Sequence, residues 1–425
     1  MSHESPGAPP RRGASGQVAY LTTVYPSPSH SFIRREILGL EAIGWRVHRF
    51  AHRRNTVAPV DPADQAELRL TCVLLDLPLG TFSLAALTWL VKRPIRTSST
   101  FLFAMRLAWR GDRRFLAHAA YFAMACSLSK RMLDLGCSHV HAHFGTNPAE
   151  VACLSQRLSG ITYSVTFHGP HEFDPSLRLN LRAKIAGASF IVLISKVGYR
   201  RMLAQFPDFE ARFRRVPCGL DAAWFGLPRS AGQQSPDLIC VARLDPQKDP
   251  LLLLAAVRIL VERGVDFHLK IAGDGLLRTE VETQIAAGGL GSRVTLLGWQ
   301  SQAQIIALLR AARALVLSSH DEGLPVAIME AFALGVPAIA PDVGGVSELV
   351  ESGASGWLVP RGDALALADA MQECLRTGPA ELRRLGLEAR RRVRSHNARV
   401  SADRLGRAFG LQMSSTAAPD GRSER

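Results

Sequence analysis

The sequence predicts an α/β protein made of two doubly wound parallel-sheet domains that face a central cleft. Three observations carry this prediction. Short apolar runs of strand length alternate with helix-length segments, a Pro/Gly-rich stretch from Val216 to Pro236 interrupts them, and the alternation then restarts more regularly. Strands and helices in this rhythm imply a parallel sheet covered on both faces. At roughly 150 residues per domain, a chain of 425 residues holds two or three cores. Apolar residues at 47% and charged residues at 21% exclude a disordered or collagen-like chain.

Taken in order, residues 1–16 read as a flexible arm: Pro6, Pro9, Pro10, Arg11 and Arg12 precede any apolar run, which is unlike a secretory signal. Strands are expected at Gln17 to Thr23, Arg46 to Phe50, His139 to His143, Tyr163 to Phe167 and Phe190 to Ile194, with helices including Phe32 to Leu40, one from about Pro148, and Lys196 to Leu203. They make an N-terminal domain over 17–215, and 216–236 forms the linker. The C-terminal domain, 237–395, has strands expected at Leu238 to Val241, Phe267 to Ala272, Val294 to Leu297, Ala314 to Leu317, Ala338 to Ala340 and Gly356 to Val359. Its helices are expected near 249–263, 276–286, 302–311, 325–334, 345–352 and 363–375. A last helix over 396–412 and a flexible tail over 413–425 complete the chain.

The net charge of +14 is confined to one half. Residues 1–215 hold 28 Lys/Arg against 14 Asp/Glu, whereas the remainder is balanced at 23 against 23. Such asymmetry attracts nucleic acid, an anionic membrane or acidic substrates. Leu79 to Val91 is too short to span a bilayer, but with Phe101 to Trp109 and the interleaved Arg96, Arg106, Arg110, Arg113 and Arg114 it suits an element lying on an anionic surface. An amphipathic hairpin packed on its own domain fits the same pattern. Seven scattered cysteines without a C-x-x-C pair argue for reduced thiols in the cytoplasm.

The sharpest motif runs from Ser318 through Glu322-Gly323-Leu324-Pro325 to Glu330. A strand enters a loop there, Pro325 suits the first turn of a helix, and the helix N-terminus favours an electron-rich oxygen group. Glu330 should sit some ~7.5 Å along the axis, so the two carboxylates can hold hydroxyls at opposite ends of a nucleoside diphosphate sugar. Arg243 and Lys248 flank a strand-to-helix turn and suit a diphosphate, the first as a planar fork and the second as a point charge. Gly273-Asp274-Gly275 permits close backbone approach to a ligand, and His168 ends a strand where its imidazole can meet a sugar hydroxyl. His139, His141 and His143 share one strand face without a fourth ligand, so no metal site is expected.

The ordered set Phe167-His168-Gly169, Val241-Ala242-Arg243 with Lys248, Gly273-Asp274-Gly275, Glu322-Gly323-Leu324-Pro325 with Glu330, and Gly344-Gly345-Val346-Ser347-Glu348 resembles the retaining glycosyltransferases of family 4, which have the GT-B fold of two Rossmann-like domains. The resemblance covers about 17–405 and is most specific in the C-terminal half. The opening from Tyr25 to Ile33, with Arg35-Glu36-Ile37, is similar to the subgroup that builds bacterial exopolysaccharides of the colanic-acid type. Many members carry a glycine-rich loop after the first strand, where this chain has a Pro/Ser loop.

That resemblance implies roles. Glu330 would hold the ribose hydroxyls, Arg243 and Lys248 the departing diphosphate, Glu322 and the amides after it the donor sugar, and His168 the sugar near the reacting centre. Ser29, His30, Ser31 and His143 are the acceptor-side candidates. It further implies retention of anomeric configuration by front-face attack, hexosyl transfer without a cofactor or metal, and a last helix that crosses back to the first domain. The expected partners are a UDP- or GDP-sugar, a lipid-linked or oligosaccharide acceptor and the anionic inner face of the plasma membrane. A synthase with a soluble acceptor and a non-catalytic nucleotide-sugar-binding partner are the alternatives. Nucleic acid is not an expected partner, because no recognition motif or basic aromatic platform accompanies the charge.

Overall fold

The computed structural model describes residues 16–227 and 235–416. The expected arm before residue 16, the middle of the expected linker and the end of the expected tail lie outside the described residues. Seven parallel strands form the first sheet: β1 (Gln17–Val24), β2 (Arg46–Arg53), β3 (Thr71–Val73), β4 (His139–His143), β5 (Thr162–Phe167), β6 (Phe190–Leu193) and β7 (Phe213–Arg215), in the order β3-β2-β1-β4-β5-β6-β7. Six form the second: β8 (Asp237–Val241), β9 (His268–Ala272), β10 (Val294–Gly298), β11 (Ala314–Val316), β12 (Ala338–Pro341) and β13 (Gly356–Val359), in the order β10-β9-β8-β11-β12-β13. Both are doubly wound, and the strand order reverses between β1 and β4 and between β8 and β11. Ligands of such sheets bind at the carboxyl ends of the strands beside these reversals. The two switch points face each other across a cleft.

Strands such as β6, β8, β11 and β12 are apolar runs because helices cover both faces. Leu238, Ile239, Leu315, Val316 and Ile339 form the centre of the C-terminal core, while Leu21, Val140, Ala142, Val165 and Ile191 do so in the N-terminal domain. The chain crosses twice. Outward, Val216 to Leu220 leads to a short helix that buries Trp224; on the return, Leu220 and Ala398 are stitched together by the bonds Leu220 N–H to His396 O (2.8 Å) and Ala398 N–H to Leu220 O (2.9 Å). The helix Ala398–Thr416 then lies on the helix Ser31–Ala42, where Ala402, Leu405 and Phe409 meet Ile33, Ile37 and Leu40. Each large apolar side chain buried there contributes about 2 kcal/mol, so the final helix fastens the two domains together.

The structure differs from the sequence expectations in four places. The expected helix over 345–352 is a single 3-10 turn, Val346–Glu348; the Glu351 amide bonds to Ser355 Oγ at 3.0 Å instead of continuing it. Pro325 is the N-cap of the helix Val326–Ala333 and stands one residue before its first turn. β3 and β7 are edge strands of three residues, one of them carrying two arginines, and are too short for a period to show. The helices Pro62–Leu70 and Pro379–Val393 were also unanticipated, because their charged faces dominate the pattern.

The basic apolar region forms three helices, Leu79–Lys92, Pro94–Arg110 and Phe115–Asp134. Ala85, Trp89, Ala104 and Phe122 pack into the N-terminal core, while Leu79, Ile95 and Leu116 are 84%, 86% and 89% exposed. Among the described residues no helix is long and apolar enough to cross a membrane. Burial pushes the Cys240 thiol up to about 12.

Candidate active site

The C-terminal wall of the cleft is built by loops that interlock through their backbones. After β8, the loop carrying Arg243 and Lys248 is tied to the loop after β9, Leu244 N–H donating to Asp274 O at 3.0 Å and Ala242 N–H to Ala272 O at 3.1 Å. Ser318, just past β11, donates to the carbonyls of Lys248 (2.9 Å) and Asp249 (2.8 Å). The loop after β12 closes the set. Gly344, at φ 53, lies so close to Glu322 that a Cβ would stand 1.7 Å from the Glu322 carbonyl oxygen.

These loops fix the charged groups. Lys248 Nζ donates to Glu322 Oε1 at 2.6 Å, and Ser319 Oγ to the same oxygen at 2.7 Å. Arg243 is half exposed over the cleft, held by Asp245 at 2.9 Å and by Gln247 at 3.3 Å. The buried Glu330 is paired across the cleft with Arg35, Nη2 to Oε1 at 2.6 Å. Arg35 also reaches Asp221 at 3.3 Å and lies over the Trp224 ring. A carboxylate and a guanidinium buried together are costly to separate, so this pair links the two domains as well as orienting Glu330.

The N-terminal wall relies on side chains. His168 is enclosed by Phe32 and Phe144, with ring centroids 4.6 and 4.8 Å away. Its loop is pinned by the buried Glu172, whose carboxylate accepts from the amides of Gly145 (2.5 Å), His168 (2.7 Å) and Gly169 (3.0 Å). Burial raises Glu172 to about 7 against the pull of those three donors. Phe144 holds φ 77, which is rare for an aromatic residue, and its amide bonds to Thr166 O at 2.9 Å. His30 Nδ1 donates to Val24 O, 3.2 Å away, and burial lowers its pKa to about 4. Burial also holds His168 well below the ordinary histidine range, so both rings are neutral at neutral pH.

Besides the Arg35–Glu330 pair, the walls touch at Gln302, whose amide donates to Asp61 Oδ2 at 2.8 Å, and at further points. A Cβ on Gly323 would stand 1.8 Å from His168 O, so backbone meets backbone across the cleft. Glu348 accepts from the amides of Lys196 (3.0 Å) and Val197 (2.9 Å), capping a helix of the other domain. Between these contacts lies a cavity of about 370 Å³, within the range of small-ligand sites.

Of the residues singled out in the sequence, His168, Arg243, Lys248, Gly273, Glu322, Gly323, Leu324, Pro325 and Glu330 line this cavity, as do Ser29, His30 and Ser31. Asp274, Gly275 and His143 stand off its wall. Asp274 pairs with Arg278 at 2.8 Å, Gly275 packs against Leu244 O, and His143 lies buried behind His168. Arg35, Phe144, Glu172 and Gln302 had no assigned part in the sequence reading. For Glu172 a signal existed: an acidic residue three positions after Gly169 is where a turn accepts its own first amides. The histidine strand does acquire a neighbour, since ligand atoms of Glu36, His141 and His143 lie within 4.8 Å of one another. Both nitrogens of His141 are nevertheless engaged, by Ser164 at 2.7 Å and Thr166 at 2.8 Å.

Two parallel-sheet Rossmann-like domains with the ligand cleft between them constitute the GT-B arrangement. Residues 229–392, most of the C-terminal domain, match the family model Glycosyl transferases group 1. The amylovoran biosynthesis glycosyltransferase AmsK of Erwinia amylovora is 37% identical over 207 residues, 47% of this chain and 50% of the relative. The putative colanic acid biosynthesis glycosyltransferase WcaL of Salmonella typhimurium is 36% identical over 204 residues, 47% of each. The chain thus spans about half the length of these curated relatives. Over nearly its full length it shares its fold with a sucrose-phosphate synthase from Thermosynechococcus elongatus (TM-score 0.71, 20% identity, 94% of this chain and 100% of that one). The same holds for Anabaena Alr3699/HepE, solved in complex with UDP (TM-score 0.69, 16% identity, 93% and 100%).

Proposed function

We propose that this protein is a retaining glycosyltransferase of family 4, moving a hexose from a nucleotide-diphosphate sugar to a lipid-linked glycan precursor during exopolysaccharide assembly. The observation that carries the reading is the convergence of Arg243, Lys248, Glu322, Glu330 and His168 on one interdomain cavity. Two cations and two carboxylates placed in this way match a ligand with a diphosphate at its centre and hydroxyls at both ends. As the glycosidic bond breaks, charge grows on the departing diphosphate, and preplaced cations stabilise it without reorganisation. Arg243 and Lys248 fill that part. Glu322 and the amides that follow it hold the sugar, Glu330 the ribose, and His168 the sugar near its reacting carbon. The similarity of the C-terminal half to AmsK and WcaL supports exopolysaccharide assembly, and the UDP complex of the Anabaena neighbour supports a UDP-sugar donor.

In this reading the acceptor enters beside Ser29, His30 and Ser31 from a membrane surface. The exposed Leu79, Ile95 and Leu116 with Lys92, Arg93 and Arg96 between them are an apolar face with a basic rim, suited to the cytoplasmic leaflet. The test is turnover of UDP-, GDP- and ADP-sugars by the parent and by Arg243→Ala with Lys248→Ala. A loss on the order of 100-fold in kcat is expected for the double variant, and equal turnover would remove the cations from the chemistry.

A further inference from the structure

The loops after β4 and β5 reach the cavity side by side, and both are fastened to one buried carboxylate. Glu172 Oε2 accepts from the amide of Gly145 at 2.5 Å, and Oε1 from those of His168 at 2.7 Å and Gly169 at 3.0 Å. Glu172 itself is buried and does not line the cavity, whereas Phe144, His168 and Gly169 do. Gly145 is gripped from both ends, since its carbonyl accepts from Lys184 Nζ at 3.0 Å, and the same ammonium donates to Thr146 O at 2.9 Å. The grip holds a strained point. Phe144, next to Gly145, sits at φ 77, and a Cβ on Gly145 would stand 2.1 Å from the Phe167 ring.

Each of the three groups bonded to Glu172 is a donor. An ionised carboxylate only accepts and satisfies all three, while a protonated one turns one oxygen into an O–H. That O–H would face amide N–H groups, and a buried donor without an acceptor is costly. Oε1 holds two amides and Oε2 one, so the proton costs least on Oε2, and Gly145 is the group released. Burial opposes the anion, the three amides favour it, and the balance lies at about 7. The charge of Glu172 therefore changes close to neutral pH.

The charges around it are accounted for. Lys184, on the helix Leu181–Gly187, lies 3.8 Å from Glu150 of the helix Asn147–Ser159. At the end of β4, His143 meets His168 at 2.8 Å. His168 and His171 are held below the ordinary histidine range by burial, so both are mostly neutral where Glu172 titrates. Asp174, two residues on, is exposed, as are Lys196, Arg200 and Arg201 on the helix Lys196–Gln205 that packs against this turn. Across the cleft, Glu322 is tied to Lys248.

We propose that ionised Glu172 is the clasp of the N-terminal wall: it holds the loops after β4 and β5 together, and uptake of a proton releases Gly145 and the Phe144 side of the cavity, so that transfer requires the charged form. Glu172 is a positioning residue, and the inference rests on reading the cleft as a sugar-transfer site.

The test is an NMR titration of two amides in the full chain. His168-Gly169 is the one His-Gly pair in the sequence, so carbonyl-¹³C histidine with ¹⁵N-glycine selects the Gly169 amide alone. Between about pH 5.5 and about pH 8.5 it should follow a single proton with a midpoint near 7, and in Glu172→Gln, whose amide group copies the protonated carboxyl, it should stay flat. Release is read on Gly145, in one of three Phe-Gly pairs, whose exchange protection factor should drop tenfold or more below the midpoint. For the UDP-, GDP- or ADP-sugar that the parent uses, kcat should fall with the same midpoint, about tenfold one unit below it. In Glu172→Gln kcat should be low and independent of pH, and the nucleotide Kd, set by the other wall, should stay within about twofold. A Gly169 amide that does not titrate in the parent would overturn the proposal, as would unchanged Gly145 protection, kcat that stays constant through the titration, or a Glu172→Gln variant with the parent's kcat. The parent titration decides even if the variant does not fold. A parent that turns over no nucleotide sugar would instead sink the reading of the cleft, and the two amides would still decide the clasp.

Discussion

The two walls of the cleft hold their shape by different means. On the C-terminal side, loops interlock mainly through backbone contacts, Leu244 on Asp274 and Gly344 on Glu322, with the Ser318 hydroxyl donating to the Lys248 carbonyl. On the N-terminal side, the shape depends on side chains, Glu172 pinning two amides of its own loop and that of Gly145, 27 positions away, and Glu36 meeting His143 behind His168. Backbone interlock tolerates no added atom but is indifferent to pH. Side-chain pinning tolerates small changes in shape but depends on protonation. Under the proposed function, the C-terminal wall would hold an invariant diphosphate and the N-terminal wall would be the one adapted to an acceptor.

The largest break expected in this comparison comes from Gly344→Ala. The added methyl would meet the Glu322 carbonyl at a backbone angle that only glycine adopts freely. A destabilisation of about 3 kcal/mol, with loss of nucleotide binding, should be read by urea denaturation and titration. A variant with the parent's midpoint would show that the C-terminal wall is softer than described.

Acid should act on the other wall. Burial lowers the folded-state pKa of His30 to about 4 and of His52 and His139 to about 3, and holds His141 and His168 well below their ordinary value. The unfolded chain takes up protons on these five as pH falls below about 6.5 while the folded chain does not, so stability is lost in that direction. Glu172 and Asp64, raised to about 7 and about 6, work oppositely. Each is protonated in the fold while ionised in the unfolded chain, and so adds stability as pH falls towards the ordinary carboxylate range. The net slope from these seven groups should be on the order of 4 kcal/mol per pH unit near pH 5.5. All seven groups lie in the N-terminal domain, so hydrogen exchange at pH 5.5 should open that domain first. Uniform opening of both domains would contradict the contrast.

The smallest effect on stability belongs to the outer face of the three helices. Leu116→Ser, at an 89% exposed position, should change the denaturation midpoint by less than about 0.5 kcal/mol. It should reduce co-sedimentation with phosphatidylglycerol vesicles several-fold. Unchanged sedimentation would separate that face from membrane binding.

How much of this was legible in the chain follows the same division. Close-packed turns demand Gly, Pro and short polar residues at fixed spacing, so the C-terminal loops stand out as a contiguous motif around Glu322 and Gly344. β8 to β13 were legible for a similar reason, as buried parallel strands are unbroken apolar runs. Pairs such as Arg35 with Glu330, separated by 295 positions, leave no local signature, and neither does Glu36 beside His143. Each of these residues could equally have been a solvated charge. The edge strands β3 and β7 escaped because three residues carry no period.

The central claim is that the cavity between the walls is a nucleotide-sugar site anchored at Glu330. Calorimetric titration of the full chain with UDP, GDP and ADP, repeated on Glu330→Ala, tests it most directly. The account predicts that one nucleotide binds the parent and that the variant weakens it tenfold or more. No binding by the parent, or equal binding by both, would contradict it.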